Sequence, residues 1–217
     1  MTDLQNEVYE ELKLCFKNPC AIFGILGNIQ AESSCRPNNL QNSFESKLGY
    51  TDESYTEALD SGNYTVEQFM NDKAGYGLCQ WTFWSRKKAL YEYWEREGFK
   101  EQKFSIGSVE PQIGFLYFEM SNVLYNKLES AKTVGEATRM FMLEYEKPAN
   151  QSEENIQKRI NIAQDLYLDF MKTSLDSNSL ANNPTIKSAL TDISETLERL
   201  KKDIDILVCI AGGKIND

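Results

Sequence analysis

Residues 24–37 read GILGNIQAESSCRP, from Gly24 to Pro37, and they close an apolar run that begins near Pro19. Ile22, Phe23, Ile25, Leu26 and Ile29 recur at helical spacing; Pro19 suits the first turn of a helix, and Pro37 lies shortly beyond its end. The spacing predicts a mostly buried helix over 19–33. At 100° per residue, Glu32 stands about 20° from Ile25, on the stripe that Ile22 and Ile29 share. A carboxylate on that stripe is costly unless it is paired or put to use. Apolar walls and the negative end of the helix dipole both disfavour its charge. The expectation is a raised pKa and a proton held near neutral pH, as a general acid requires. The competing reading is a structural glutamate tied to loop amides.

Working outward, 217 residues hold one sizeable domain with room for an appendage, and 41% apolar content reads as globular. A net charge of -10 leaves no basic stripe for a phosphate backbone, so nucleic acid is excluded as a partner. The chain contains no histidine. That removes Ser-His and Cys-His nucleophilic pairs and histidine zinc sites. Cys15, Cys20, Cys35, Cys79 and Cys209 show no metal-ligand spacing and read as reduced thiols, with a Cys35–Cys79 bridge as the one pairing worth asking about. No cofactor or metal is expected. The opening MTDLQNEVYEELK lacks the basic-then-apolar layout of a secretory signal, and no apolar run approaches the ~20 residues of a membrane span.

Past Pro37 the chain turns polar, and Thr51 and Thr65 are candidate caps for short helices, with Gly62 closing the first. A polar insertion of this length in a compact domain is usually functional. Helical patterning resumes after GYGLCQWT: Ser85 or Thr82 is expected to cap a helix that Gly98 ends, and further helices are expected over about 109–128, 134–146 and 152–173. In the last, Ile156, Ile160, Ala163, Leu166, Tyr167 and Phe170 mark the apolar face. The domain is expected to span 1–173, with a linker over 174–185. From Ile186 to Leu207, through Leu190, Ile193, Leu197, Leu200 and Ile204, apolar residues alternate by four and three. That is a heptad seam, and it suits a self-associating helix or one folded back on the domain.

The second informative stretch is KAGYGLCQWTFWSR, Lys73 to Arg86. Gly75 and Gly77 allow close backbone approach. Tyr76 and Trp81 offer flat faces, Gln80 offers an amide, and Trp84 reads as core packing. Aromatic faces beside amides and carboxylates suit a sugar ring, whose C–H faces stack and whose hydroxyls hydrogen-bond.

Taken together, GILGNIQAESSCRPNNLQNSFE and AGYGLCQWTFWSRK resemble the phage tail lysozyme family, wall-degrading domains in tails and lysins of bacteriophages of Gram-positive bacteria. The resemblance covers roughly residues 5–172. It implies a lysozyme-like, mainly α fold with a small polar lobe, and cleavage of the MurNAc–GlcNAc strand of peptidoglycan. By motif it makes Glu32 the catalytic acid and lines the sugar cleft with Tyr76, Gly77, Gln80 and Trp81. FMLEYEKPA resembles the segment where an aromatic residue faces the active site, which nominates Tyr145. The heptad helix lies outside the resemblance, and virion attachment or self-association is its expected role. Synthesis in the host cytoplasm, with action from the virion tail or after holin-type release, follows as the expected route.

Two chemistries fit one strong acid. Hydrolysis uses a second carboxylate, ~6.5–9.5 Å away for inversion or ~5–5.5 Å for retention, whereas a lytic transglycosylase needs none. Glu45 in the polar insertion is the first candidate partner and Asp72 the second. Rival readings are a non-catalytic glycan-binding or tail module, and a thiol peptidase using Cys35 or Cys79, which the missing histidine disfavours.

Overall fold

In the computed structural model, the helix that carries Glu32 is α2 (Pro19–Ser33), and every residue from Ala21 to Ile29 is buried. It is a central helix, enclosed on all sides, where the sequence suggested one core-facing stripe. Two glycines make this possible. A Cβ on Gly24 would stand 2.7 Å from the Cβ of Ala137, and one on Gly27 would stand 2.4 Å from the Cβ of Ala163. Interior glycines cost a helix about 1 kcal/mol each, and here that cost is offset by the close approach of two neighbouring helices. Asn18 caps the N-terminus by accepting from the Cys20 N–H at 3.0 Å, and its amide donates to the Leu128, Glu129 and Ala131 carbonyls. The C-terminus is closed by a left-handed pair, Ser34 at φ 56° and Cys35 at φ 60°, which turns the chain just after Glu32.

Against α2 pack α1 (Asp3–Cys15), α8 (Asn122–Glu129), α9 (Val134–Phe141) and, at Ala163, α10 (Glu153–Ser177), while α7 (Val109–Glu119) packs on α1. The stretch 109–128, expected as one helix, is two: it breaks at Met120, and the Ser121 hydroxyl caps α8 by accepting from Leu124 N–H at 3.2 Å. The stretch 134–146 is helical throughout, but its last turn, Met142–Glu146, is a π-helix ending at Lys147 with φ 49°. The residues described are 1–177, 188 and 191–200. The heptad positions Ile186, Leu190, Ile204 and Leu207 lie outside them, as do Cys209 and 178–185 of the expected linker. The chain divides into two compact units, Met1–Leu168 and Asp169–Asp217. In the second, 191–200 is helical and the seam residues Ile193, Leu197 and Leu200 are exposed. No helix among the described residues is long and apolar enough to cross a membrane.

The polar lobe consists of α3 (Asn42–Leu48), α4 (Asp52–Asp60), α5 (Val66–Asn71) and the loop Lys73–Trp81, which leads into α6 (Trp84–Arg96). Thr51 and Thr65 cap α4 and α5 through full capping boxes, as the sequence suggested, and Gly62 takes a left-handed φ of 77° after α4. Neither Ser85 nor Thr82 caps α6: its N-cap is Phe83, and the Thr82 hydroxyl donates to the Gln80 carbonyl. The lobe has its own aromatic core, with Tyr55 packed on Tyr50, Tyr64, Phe69 and Tyr76. Isolated bridges at Leu40–Tyr76 and Tyr76–Trp81 are its extended pairings. The buried Gln112 of α7 ties lobe to bundle. It accepts from Leu78 N–H at 2.8 Å and donates to the carbonyls of Pro37 at 2.6 Å and Ile106 at 2.8 Å. The domain is mainly α, as expected.

Candidate active site

Glu32 sits on the last turn of α2, where the helix emerges from the core, and its side chain is 20% exposed. Its carboxylate forms an ion pair with Arg159 of α10, whose side chain is only 8% exposed. Arg159 is oriented from one turn earlier on α2: its Nη1 donates to Asn28 Oδ1 at 3.1 Å. Asn28 has no freedom to turn away, because its amide donates to the Gly24 carbonyl at 2.9 Å and the Thr138 carbonyl at 3.1 Å. The Nε of Arg159 is buried without a partner among the described residues.

A second set of groups converges from the π-helical turn. Tyr145 stacks on Phe141, with ring centroids 4.6 Å apart, and its hydroxyl donates to Glu119. The guanidinium of Arg86 lies 4.8 Å above the Tyr145 ring and donates through Nε to Glu119 at 3.1 Å, while the Trp81 indole donates to the same carboxylate at 2.9 Å. Next to Tyr145, Glu146 has its Oε1 sealed from solvent without a donor among the described residues. Burial, reinforced by the charge of Glu32, pushes the Glu146 carboxyl up to about 8, against the pull of Arg86, the Cys79 thiol and Arg159. This cluster joins α2, the Gly75–Trp81 loop, α6, α7, the π-turn and α10.

A family model described as phage tail lysozyme matches residues 5–170. The chain belongs to the phage tail lysozyme family. Comparison with curated proteins and comparison with solved structures each gave no match. As a phage tail lysozyme domain it is lysozyme-like, peptidoglycan-related and phage-associated.

Within this phage tail lysozyme domain, the residues nominated from sequence fall in different places. Glu32 and Tyr145 are in the cluster just described. Asp72 is not: it is an internal counter-ion, 2% exposed, paired with the fully buried Lys87 and accepting from Tyr55, from Tyr64 at 3.2 Å and from the Ala74 N–H at 2.9 Å. That set of donors fills its acceptor sites and leaves nothing for a water or a sugar. Glu45 lies on α3, half-buried, and among the described residues no hydrogen bond or ion pair links it to Glu32. Tyr76 is fully buried, its hydroxyl bonded to Thr56 Oγ1 at 2.8 Å, and Trp81 is buried against Phe115. Both are packing residues, and neither ring has a face open to a sugar. Trp84, read as core, is 56% exposed, and Phe83 beside it is 70% exposed. Gly77 takes φ 76° and lets the backbone approach Gln112, to within 2.5 Å of where a Cβ would stand. Gln80 is turned inward, donating to the Asn39 and Gly77 carbonyls at 3.0 and 3.1 Å.

Cys35 and Cys79 are separate free thiols. Burial pushes Cys35 up to about 12 and Cys79 well above its usual value, the reverse of what a nucleophilic thiolate needs. Among the described residues no three Cys, Asp or Glu side chains converge as metal ligands. Sequence reasoning missed Arg159, Asn28, Arg86, Glu119 and Glu146. Two of these had a signal. Arg159 falls between Ile156 and Ala163 on the apolar stripe of its helix, and Asn28 precedes Glu32 by one turn.

Proposed function

We propose that the domain cleaves the MurNAc–GlcNAc strand of Gram-positive peptidoglycan, with Glu32 as the acid that protonates the leaving glycosidic oxygen. The observation that carries this reading is the setting of Glu32: a partly exposed carboxyl at the end of a buried helix, braced by a buried arginine. An acid that must meet a substrate needs access together with fixed orientation, and effective molarity rests on the second. The ion pair engages Oε1 and leaves Oε2 for the glycan. Substrate hydroxyls that compete for Arg159, whose Nε already lacks a partner, free Glu32 to take up and deliver a proton. The exposed faces of Phe83 and Trp84 supply the stacking surface for sugar rings that Tyr76 and Trp81 do not.

The transglycosylase route has one observation in its favour. Asp72 is consumed by Lys87 and its tyrosines and so does not support a water-activating base, while Glu45, half-buried on α3, keeps that role only in the hydrolytic route. The two routes separate by product. Purified wild type and Glu32→Gln, incubated with Gram-positive walls, are compared by mass spectrometry of the released ends. Reducing MurNAc ends are expected for a muramidase, anhydro-MurNAc ends for a transglycosylase and reducing GlcNAc ends for a glucosaminidase. Glu32→Gln is expected to lose at least ~100-fold in release rate, the scale of removing a general acid. Equal release by the mutant would sink the assignment. The heptad segment is the proposed attachment to the particle, concentrating an anionic enzyme at an anionic wall.

A further inference from the structure

The site contains more carboxyls than cations. Arg86 and Arg159 are its two guanidiniums, and Glu32, Glu119 and Glu146 are its three carboxyls. If all three carboxyls were ionised, a net negative charge would lie in a largely desolvated cluster, which is unfavourable. One proton restores the balance, and the hydrogen bonds indicate where it sits. Glu32 holds Arg159, while Glu119 holds Arg86 and accepts from Trp81 and Tyr145. Among the described residues Glu146 has neither a dedicated cation nor a donor for its sealed Oε1; the Cys79 thiol is the hydrogen bond it receives. We propose that in the substrate-free domain Glu146 carries the single proton of this cluster and, as a positioning residue for Glu32, stays neutral so that Arg159 holds the catalytic carboxyl in place until substrate enters and Glu32 takes up its own proton. This deepens the reading of Glu32 as the acid and rests on it for its role, though not for the location of the proton.

The groups facing Glu146 set the direction of the effect. Glu32 from α2 raises its proton affinity; Arg86 from α6, Arg159 from α10 and the Cys79 thiol from the loop lower it; burial outweighs them. Glu119 of α7 and Tyr145 of the same turn complete the surroundings, and both are engaged with each other. The π-helical turn is what places Tyr145 and Glu146 side by side facing the cluster, and such turns recur at functional sites because they redirect side chains that a regular helix would point elsewhere. When Glu146 loses its proton, a second carboxylate competes for Arg159, and Glu32 loses the brace that orients it.

The test has two arms on the full chain. In the first, carboxyl 13C NMR follows the glutamates from pH 4 to 10 in wild type, Glu146→Gln and Glu32→Gln. The expected result is one carboxyl titrating near pH 8 in wild type, absent in Glu146→Gln, and shifted down by about one unit or more in Glu32→Gln, where the neighbouring charge is gone. If no glutamate titrates above about pH 6 in wild type, or the high titration persists in Glu146→Gln, the proposal is overturned. The Glu32→Gln arm keeps it testable if Glu146→Gln does not fold. In the second arm, wall degradation is followed across pH. Wild type is expected to lose activity as pH rises through about 8, whereas Glu146→Gln, permanently neutral, is expected to lose a smaller fraction of its own rate at pH 6 over that range, whatever that rate is; an unchanged alkaline limb rejects the positioning role. A wild type that releases no glycan ends at any pH would overturn the glycosidase reading, while the NMR arm would still decide where the proton is.

Discussion

Asp72 and Glu32 each hold one buried cation, and they differ in what else reaches them. Asp72 is enclosed: Lys87, two tyrosine hydroxyls and a backbone N–H occupy it, and its exposure is 2%. Replacing it by Asn strands the Lys87 ammonium in the interior. Asp72→Asn is expected to cost about 3–5 kcal/mol of stability, read as a lowered midpoint in chemical denaturation, because an uncompensated buried charge remains. Glu32 is ten times as exposed, at 20%, and its arginine has an unused nitrogen. From the sequence, the apolar walls and the helix dipole argue for a proton on Glu32, and no partner for it is visible. That partner, Arg159, comes from 127 residues away, a distance that no local pattern reports. Burial, with the neighbouring charge of Glu32, raises the proton affinity of Glu146, and the sign of its effect on stability follows. Its folded value, about 8, lies above the usual 4.5, so between those values the folded chain keeps a proton that the unfolded chain releases. Stability falls as pH rises through that window. Thermal midpoints measured from pH 5 to 8 should therefore decline more in wild type than in Glu146→Gln.

At the level of elements, local chemistry was readable where it was self-contained. The limits of α2, and the Thr51 and Thr65 caps, are set by residues within one turn of the boundary, and the sequence displays them. The break between α7 and α8 was missed because apolar periodicity runs through Met120 without interruption, and only the Ser121 cap marks it. The exposed Trp84 and the buried Trp81 were exchanged for a related reason: aromatic type says nothing about which side of a loop faces the core. The glycines of α2 have a measurable consequence. A methyl at Gly27 would meet the Cβ and backbone of Ala163, so Gly27→Ala is expected to destabilise by about 1–3 kcal/mol through overpacking, despite alanine's better helix propensity. Gly49→Ala, with φ 77° and open space around its Cβ, separates backbone strain from crowding when the two variants are melted side by side.

At the level of the whole molecule, a charge of -10 opposes approach to an anionic wall. Raising ionic strength from about 0.01 to 0.15 M shortens the screening length from roughly 30 to 8 Å, so wall degradation should speed up with salt in that range. A rate that falls instead would mean that a local cationic surface guides the encounter. Gln112 has a further consequence. One buried amide side chain is hydrogen-bonded to the loop after α2, to the loop before α7 and to the glycine-rich loop. Three segments that would otherwise loosen independently thus share one fastening. The polar lobe and the helix bundle are therefore expected to open together, so the domain should melt in one transition, with no stage at which the lobe has opened and the helices around α2 still stand.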